Sequence, residues 1–214
     1  MINIENLSYS YLEGEPVLKD VTLSIEKGYV TGFFGGNGSG KSTLAKILAG
    51  EISSRINGAI RGIPESRILL EQNSHSNAFF DLTVDEHLSL YAPVLKYAEA
   101  KEWARQMEAS RKRYPDELSG GQLQILGLMV LMEQGRELVI LDEPTNHLAP
   151  ENQRKILKWL RSHCVECKTY GIVISHNREL IESYCDEAYF FQDGVVSRYD
   201  RRREQEKKND VSTN

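Results

Sequence analysis

The fold is decided by Gly35-Gly36-Asn37-Gly38-Ser39-Gly40-Lys41-Ser42, which matches the pattern G-x-x-x-x-G-K-[ST] completely. A β-rich run, Tyr29 to Phe34, leads into this segment, and a helical run leaves it. Glycines let backbone N–H groups turn inward and approach phosphate oxygens, and the N-terminus of the following helix adds partial positive charge. The segment therefore predicts a cradle for the phosphates of a nucleotide.

Charged and hydroxyl side chains around the loop extend the prediction to a metal–phosphate site. Lys41 is expected to place its charge on the β- and γ-phosphates, and the Ser42 hydroxyl is expected to ligate Mg²⁺. Asp142 follows the apolar run Leu138 to Leu141, at the strand end where a carboxylate can hold Mg²⁺ through its water shell. Glu143 is the candidate base for an attacking water.

A second glycine-rich segment, Leu118-Ser119-Gly120-Gly121-Gln122, has the composition of an anion-binding helix start. It is identical to the signature of ATP-binding cassette (ABC) ATPases, and the chain resembles this family from about Ile2 to Val196. Since one chain cannot easily offer both sites to the same phosphate, the resemblance implies a head-to-tail dimer. The signature of one subunit would then act in trans on ATP held by the other.

The resemblance also implies roles for single residues. Tyr11 matches the aromatic residue that stacks on adenine; Tyr9 is a less favoured alternative, and either residue could be part of the core. Gln72 resembles the glutamine that senses Mg²⁺ and connects to the membrane partner, and His176 resembles the histidine that contacts the γ-phosphate. The remaining histidines are not expected in the site: His75, His87, His147 and His163.

These assignments define three candidate residue sets. Lys41, Glu143 and His176 are the predicted catalytic residues, and Ser42, Gln72 and Asp142 are the predicted metal-binding residues. The nucleotide-binding set consists of Tyr11, Gly35, Gly36, Asn37, Gly38, Ser39, Gly40, Lys41, Ser42 and Thr43.

The chain departs from the family pattern at a few positions. Ala149 stands where the family usually has an aspartate that joins the two sites of the dimer, which predicts altered communication between them. Ile125 and Val130 stand where arginines are frequent, leaving an apolar helix after the signature, and Gly36 replaces a common proline.

Alternating strand and helix patterns predict an α/β fold: a P-loop NTPase core with helices on both faces of a mixed or parallel sheet, an N-terminal antiparallel β subdomain and a small inserted helical subdomain. Asn57-Gly58 predicts a hairpin turn between Arg55-Ile56 and Ala59-Ile60. Pro93 is expected to end or kink a helix in the insert. The predicted boundaries make 1–214 one ABC ATPase domain, with 1–78 and 123–197 as core, 79–122 as helical signature subdomain and 198–214 as polar tail.

Composition limits the class of protein. The 214 residues carry a net charge of −5 and are 40% hydrophobic, as expected for a soluble globular chain that does not attract nucleic acid by bulk charge. The start of the chain has no secretory signal pattern, which predicts a cytoplasmic location. Cys164, Cys167 and Cys185 are expected to be reduced thiols, with a metal or redox role for the Cys164–Cys167 pair as the alternative.

The leading hypothesis is an ATP-hydrolysing subunit of a membrane transporter, with ATP and Mg²⁺ as cofactors. Its expected partners are an integral membrane permease and a second ABC ATPase subunit, identical or different, at the cytoplasmic face of the membrane. The sequences from Asn6 to Tyr11 and from Lys41 to Lys46 are most similar to those of the ATPase subunits of energy-coupling-factor importers, which take up vitamins or metal ions. The alternatives are an exporter subunit, a soluble non-transport ABC ATPase and a regulatory module without turnover.

Overall fold

The computed structural model describes residues 1–12, 14–71, 81–91, 96–146 and 148–200. Nine strands and six α-helices lie within these residues, together with two 3-10 turns at Glu108–Ser110 and Pro115–Glu117. The strands are β1 (Ile2–Tyr9), β2 (Leu18–Ile25), β3 (Val30–Gly35), β4 (Ile56–Arg61), β5 (Arg67–Leu70), β6 (Leu138–Asp142), β7 (Tyr170–Ile174), β8 (Glu187–Gln192) and β9 (Val195–Arg198). The helices are α1 (Lys41–Ala49), α2 (Val84–Tyr91), α3 (Ala98–Gln106), α4 (Gly120–Glu133), α5 (Pro150–Cys167) and α6 (Arg178–Tyr184).

The strands form two sheets. An antiparallel sheet has the order β2-β1-β4, and a larger sheet has the order β5-β6-β7-β3-β8-β9, in which only β9 is antiparallel to its neighbour among the described strands. Strands β6 and β7 are buried along their whole length, as expected for apolar runs in a parallel sheet covered on both faces. The predicted α/β class with an antiparallel N-terminal sheet is confirmed.

Successive residues of β6 belong to opposite faces of the large sheet. Leu138 and Ile140 pack in the cluster that contains α1 and the antiparallel sheet, whereas Val139 and Leu141 pack against α4, α5 and α6. This alternation follows from the two-residue period of a strand. The sheet is thereby held between two apolar layers, so the loops at its ends are fixed in position.

The helical insert rests on α4 and α5. Helix α2 packs on α4, and α3 packs on both α4 and α5. Trp103 of α3 is fully buried, and its Nε1 donates to Asn152 Oδ1 of α5 at 3.0 Å. The residue boundaries predicted for core, insert and tail stay predictions, and Pro93 and residues 201–214 lie outside the described residues.

One local prediction was wrong and two elements were not predicted. Asn57 and Gly58 do not turn a hairpin; they lie inside β4, which pairs with β1 across a register shift between Glu5 and Ser8. Gly58 has a φ of 96°, so the left-handed glycine bends a continuous strand. Helix α6 and strand β9 were missing from the prediction because both are short and α6 is mostly polar.

The sheet order brings the candidate site together. Strands β6, β7 and β3 are neighbours, and candidate residues lie at the end of each strand or directly after it: Asp142 and Glu143, His176, and the glycine loop. In open α/β sheets, ligands bind outside the carboxyl ends of parallel strands. The topology therefore places three sequence-distant segments at one edge.

Candidate nucleotide-binding and hydrolysis site

The glycine loop connects β3 to α1 and leaves the start of the helix open. Gly40 is the N-cap of α1 with a φ of 101°, and no described side chain caps this N-terminus. A methyl group on Gly40 would lie 2.7 Å from Leu18 Cδ2, so a glycine is required both by conformation and by close packing. The first N–H groups of α1 are consequently available to an anion.

Lys41 lies folded within this loop. Its Nζ donates to Gly36 O at 2.6 Å, Gly35 O at 3.0 Å and Ser39 Oγ at 3.3 Å. Burial lowers the pKa of Lys41, while the charges of Glu143 and Asp142 act in the opposite direction. The ammonium group is therefore held in the cradle by carbonyl oxygens, which phosphate oxygens could replace as stronger, charged acceptors.

Asp142 and Ser42 form the candidate metal-binding pair. Asp142 is buried at the end of β6, and this burial raises its pKa, while a hydrogen bond with Ser42 acts to lower it. A buried carboxylate beside a hydroxyl is a costly arrangement unless a cation completes it. These two oxygen ligands fit Mg²⁺, which is usually held by one or two protein groups together with phosphates and waters. Gln72, the third predicted ligand, lies outside the described residues.

Glu143 is fixed in an unusual conformation directly after β6. Its φ is 50°, a left-handed value that is uncommon for a residue other than glycine, and its N–H donates to Ile174 O at 2.9 Å. Its Oε1 accepts from the backbone N–H of His176 at 2.7 Å and lies 3.0 Å from His176 Nδ1, and its Oε2 accepts from Ser175 Oγ at 3.3 Å. The distance fits the His176 tautomer with its hydrogen on Nδ1, which can donate to a carboxylate oxygen.

An open cleft of about 580 Å³ joins these groups. It is lined by the start of the glycine loop, by Glu143 and His176, and by Arg178 of α6. Glu143 is buried, whereas 64% of the His176 side chain is exposed. The cleft therefore brings together a buried carboxylate, an accessible imidazole and backbone from the phosphate cradle.

The two candidate adenine contacts differ in burial. Tyr9 is buried in the core, whereas Tyr11 is 50% exposed and makes an edge contact with the Tyr9 ring. The Tyr11 hydroxyl lies 3.1 Å from Thr43 Oγ1 of α1, and the Tyr11 carbonyl accepts from Arg55 Nη1 at 2.7 Å. Tyr11 thus presents a ring beside the phosphate loop, with its hydroxyl tied to the helix that the loop begins.

The signature segment lies at the start of α4, and two of its residues hydrogen-bond to each other. Ser119 Oγ accepts from the N–H of Gln122 at 3.3 Å, and Gln122 Oε1 accepts from the N–H of Ser119 at 3.1 Å. This reciprocal capping box satisfies two backbone donors. Ser119 and Gly120 are exposed, and no hydrogen bond or ion pair among the described residues joins Leu118–Gln122 to Gly35–Thr43.

The described histidines other than His176, and the cysteines, lie in packing or surface environments away from the candidate site. His87 is buried with Nδ1 3.0 Å from Thr83 O, and His163 is buried with Nδ1 3.0 Å from the Tyr97 hydroxyl. His75 and His147 lie outside the described residues. Burial raises the pKa of Cys164 to about 12, whereas Cys167 is exposed.

Sequence reasoning missed two glutamines that hold the segment after Glu143. Gln124 of α4 donates to Pro144 O at 2.8 Å, and Gln153 of α5 donates to Leu148 O at 2.9 Å. Gln124 could have been noticed as a polar residue in an apolar run, and Ser119-x-x-Gln122 has the spacing of a capping box. Ala149, the N-cap of α5, makes no side-chain capping bond.

Comparisons with known proteins identify the family of the chain. The family model described as ABC transporter matches residues 18–146, which is more than half of the chain. The methionine import ATP-binding protein MetN of Corynebacterium glutamicum is 32% identical over 85% of this chain and 56% of its own.

Two solved structures share the fold with a TM-score of 0.75. The dimeric bacterial ABC transporter cassette MJ0796 is 23% identical over 92% of this chain and 97% of its own. CbiO1 of Clostridium perfringens, part of the ABC transporter complex cbiONQ, is 24% identical over 99% of this chain and 93% of its own. The chain belongs to the ABC transporter family, as an ATP-binding subunit that hydrolyses ATP.

Proposed function

We propose that two copies of this chain close head to tail around two ATP molecules and power the import of a small solute, such as a vitamin or a metal ion, through a membrane permease. The observation that carries this proposal is the separation of two complete half-sites. Among the described residues, no hydrogen bond joins the open start of α1 to the glycine-rich start of α4 within one chain. In two copies related by a two-fold axis, the glycine loop of each copy can face the signature segment of the other, which forms two complete sites.

Binding begins at the glycine loop. The triphosphate takes the N–H groups at the start of α1, and Lys41 exchanges its carbonyl partners for phosphate oxygens. Tyr11 offers its half-exposed ring to adenine. Asp142 and Ser42 would hold Mg²⁺, which when bound would supply positive charge against the phosphates.

Hydrolysis then depends on positioning. Phosphoryl transfer leaves little covalent chemistry to the protein, so alignment of the attacking water and stabilisation of charge are the main contributions. Glu143 takes a proton from this water, because its carboxylate lies in the cleft and is held by the N–H of His176. His176 is exposed on the cleft side of Glu143, where it can contact the γ-phosphate. Ser119 of the second copy closes the site.

Replacement of Glu143 by glutamine tests the proposed function. Glu143→Gln keeps the shape of the side chain but cannot accept a proton, so ATP should bind without being consumed. We expect steady turnover to fall below detection and the full chain to become a stable dimer in ATP and Mg²⁺, measured by light scattering during gel filtration.

Glu137→Gln is the matched control, since Glu137 precedes the same strand at its opposite end and pairs with Lys27 on the surface. This variant should keep its activity and remain monomeric in ATP. A Glu143→Gln protein that stays monomeric in ATP, or that retains full turnover, contradicts the proposal.

The coupling to a permease is tested separately. None of the six helices within the described residues combines the length and apolar character needed to traverse a bilayer. We expect the tagged chain to sediment with membranes from its native cells and to co-purify in detergent with an integral membrane protein. Recovery of all of it as free protein would favour a soluble role. Uptake measurements with that permease in sealed vesicles then distinguish import from export.

A further inference from the structure

Gln124 is an anomaly in helix α4. The helix is apolar around its circumference, and the neighbours Leu123, Ile125 and Leu126 are all buried. Gln124 is itself 1% exposed. A buried amide is unfavourable unless its polar atoms are hydrogen-bonded, so an apolar residue would satisfy packing at this position more simply.

The amide nitrogen of Gln124 makes contacts at the segment that follows the candidate base. Nε2 donates to Pro144 O at 2.8 Å and approaches Glu143 O at 3.5 Å. Glu143 has a left-handed backbone, so the orientation of the next peptide is not maintained by regular secondary structure. Gln124 therefore holds the carbonyl groups of Pro144 and, at the longer distance, of Glu143 itself, where the chain leaves the candidate base.

The amide oxygen of Gln124 has no hydrogen-bond partner in the part of the chain that the structure describes. An unpartnered buried acceptor is destabilising. The reversed amide orientation would place this oxygen against two carbonyl oxygens, so the assigned orientation is the favourable one. The Gln124 side chain therefore supplies hydrogen bonds to the backbone after Glu143, while its own amide oxygen stays without a partner among the described residues. This arrangement indicates a role beyond packing.

The same helix begins at the signature. Ser119 caps α4, and Gln124 lies five residues later, about 7.5 Å along the helix axis. A helix held between the sheet and the insert moves as a unit, so a shift at its capped end reaches Gln124 directly. The start of α4 would face the nucleotide of the other copy, whereas Glu143 serves the nucleotide of its own copy.

We propose that Gln124 is a positioning residue that couples engagement of Ser119 by the partner's nucleotide to the placement of Glu143 in the same chain. This inference rests on the proposed function. When the signature binds a γ-phosphate, α4 shifts and Gln124 sets the backbone of Glu143 and Pro144 in its productive orientation. ATP binding at one of the two shared sites thereby changes the position of Glu143 at the other, through α4 and the hydrogen bonds of the Gln124 amide.

The test compares Gln124→Met with Gln153→Met in the full chain. Both glutamines donate to two carbonyl oxygens in the segment after β6, but Gln153 belongs to α5, and no hydrogen bond in the described part of the chain joins it to Leu118–Gln122. Methionine has a similar length and suits an apolar interior. Both variants should lose similar stability, so the difference between them isolates the connection to α4.

For Gln124→Met we expect kcat to fall about tenfold, the equivalent of one net hydrogen bond, with the KM for ATP unchanged within about twofold. Gln153→Met should change kcat by less than about twofold. Hydrogen exchange of the full chain supplies a second readout without turnover. ATP and Mg²⁺ should protect α4 in every variant, but should protect the amides of Thr145 and Asn146 only where Gln124 is present. Gln124→Leu repeats the test if the methionine variant folds poorly.

Equal losses of kcat in the two variants would overturn the inference, because rigidity of the segment alone would then explain the effect. ATP-dependent protection of Thr145 and Asn146 in Gln124→Met would overturn it as well. A complete lack of ATP response in the unsubstituted protein would instead contradict the proposed function. The two failures are therefore distinguishable.

Discussion

Helices α1 and α4 both begin at a candidate phosphate site, yet their N-termini are satisfied in opposite ways. Helix α1 starts at a left-handed glycine with no capping side chain among the described residues, and Lys41 lies in the space in front of it. Helix α4 starts at Ser119, which forms a reciprocal capping box with Gln122. The first site is an open cradle that costs stability until a ligand arrives, whereas the second is stable alone and leaves Ser119 and Gly120 exposed.

Lys41→Met should have the largest effect on this contrast. Loss of the only charge in the cradle removes a charge-assisted contact to the phosphates, so we expect the Kd for ATP to rise by about 100-fold or more, measured by isothermal titration calorimetry. Lys46→Met is the control, because Lys46 lies on the same helix but pairs with Glu71 at 2.5 Å on the surface. Comparable weakening in both variants would refute the assignment of Lys41.

Ser119→Ala should separate binding from turnover. A single copy should bind ATP as before, because the cradle is unchanged, while turnover falls by about 10- to 100-fold through loss of a hydroxyl near the transferred phosphate. The free energy of unfolding should fall by about 1 kcal/mol, since α4 loses its N-cap. Calorimetry, a phosphate-release assay and urea unfolding measure the three quantities. Unchanged turnover would show that α4 does not take part in the site.

Asp142→Asn should stabilise the free protein while abolishing turnover. Burial raises the pKa of Asp142, so the folded state disfavours the ionised carboxylate. The protonated side chain therefore contributes to the free energy of unfolding at pH values below the unfolded pKa of about 3.9. This contribution is lost as the pH rises through the folded pKa. The variant should therefore match the unsubstituted protein at low pH and exceed it at pH 8, by about 2–4 °C in Tm.

Thermal unfolding without nucleotide from pH 4 to pH 8 gives the profile for both proteins. A variant that is less stable at pH 8, or a difference that does not change with pH, would contradict the claim that the open site costs stability. Added Mg²⁺ and ATP should reverse the order, because they stabilise the protein that retains Asp142.

Ala149→Asp should have the smallest effect. It changes the start of α5, which no described side chain caps and which is not a candidate ligand site. Helix α5 begins at Pro150 after Ala149, and an aspartate there can accept from the free N–H groups of the first turn. We expect a gain of about 1 kcal/mol, or about 2–4 °C in Tm. Ala149→Asn tests the cap without the charge and should give most of this gain. Ala149→Asp should also increase cooperativity between the two ATP sites, and an unchanged Hill coefficient would refute that part.

The parts of the site that could be predicted from sequence are those encoded by contiguous residues. The glycine loop and Asp142 at the end of an apolar run are local patterns, and the structure places them at one edge of the sheet. The segment around Asn57-Gly58 was predicted wrongly because pairing with β1 overrode its local turn preference.

Contacts between distant residues could not be predicted in this way. The partner of Gln124 lies 20 positions along the chain and is reached only when α4 packs against the large sheet, and the contact between His176 and Glu143 spans 33 positions. The capping box at Ser119 was different, because its three-residue spacing is visible in the sequence. Tertiary packing therefore supplies the interactions that position Glu143, while local sequence supplies the groups themselves.

The most direct test of the central claim, that each site is shared between two copies, mixes two inactive variants. Lys41→Met lacks a working cradle and Ser119→Arg blocks the signature, so neither protein alone should hydrolyse ATP. Their mixture contains dimers in which the intact cradle of one copy faces the intact signature of the other, and we predict that ATP turnover reappears at a fraction of the unsubstituted rate. A mixture that remains as inactive as its components would contradict the shared site.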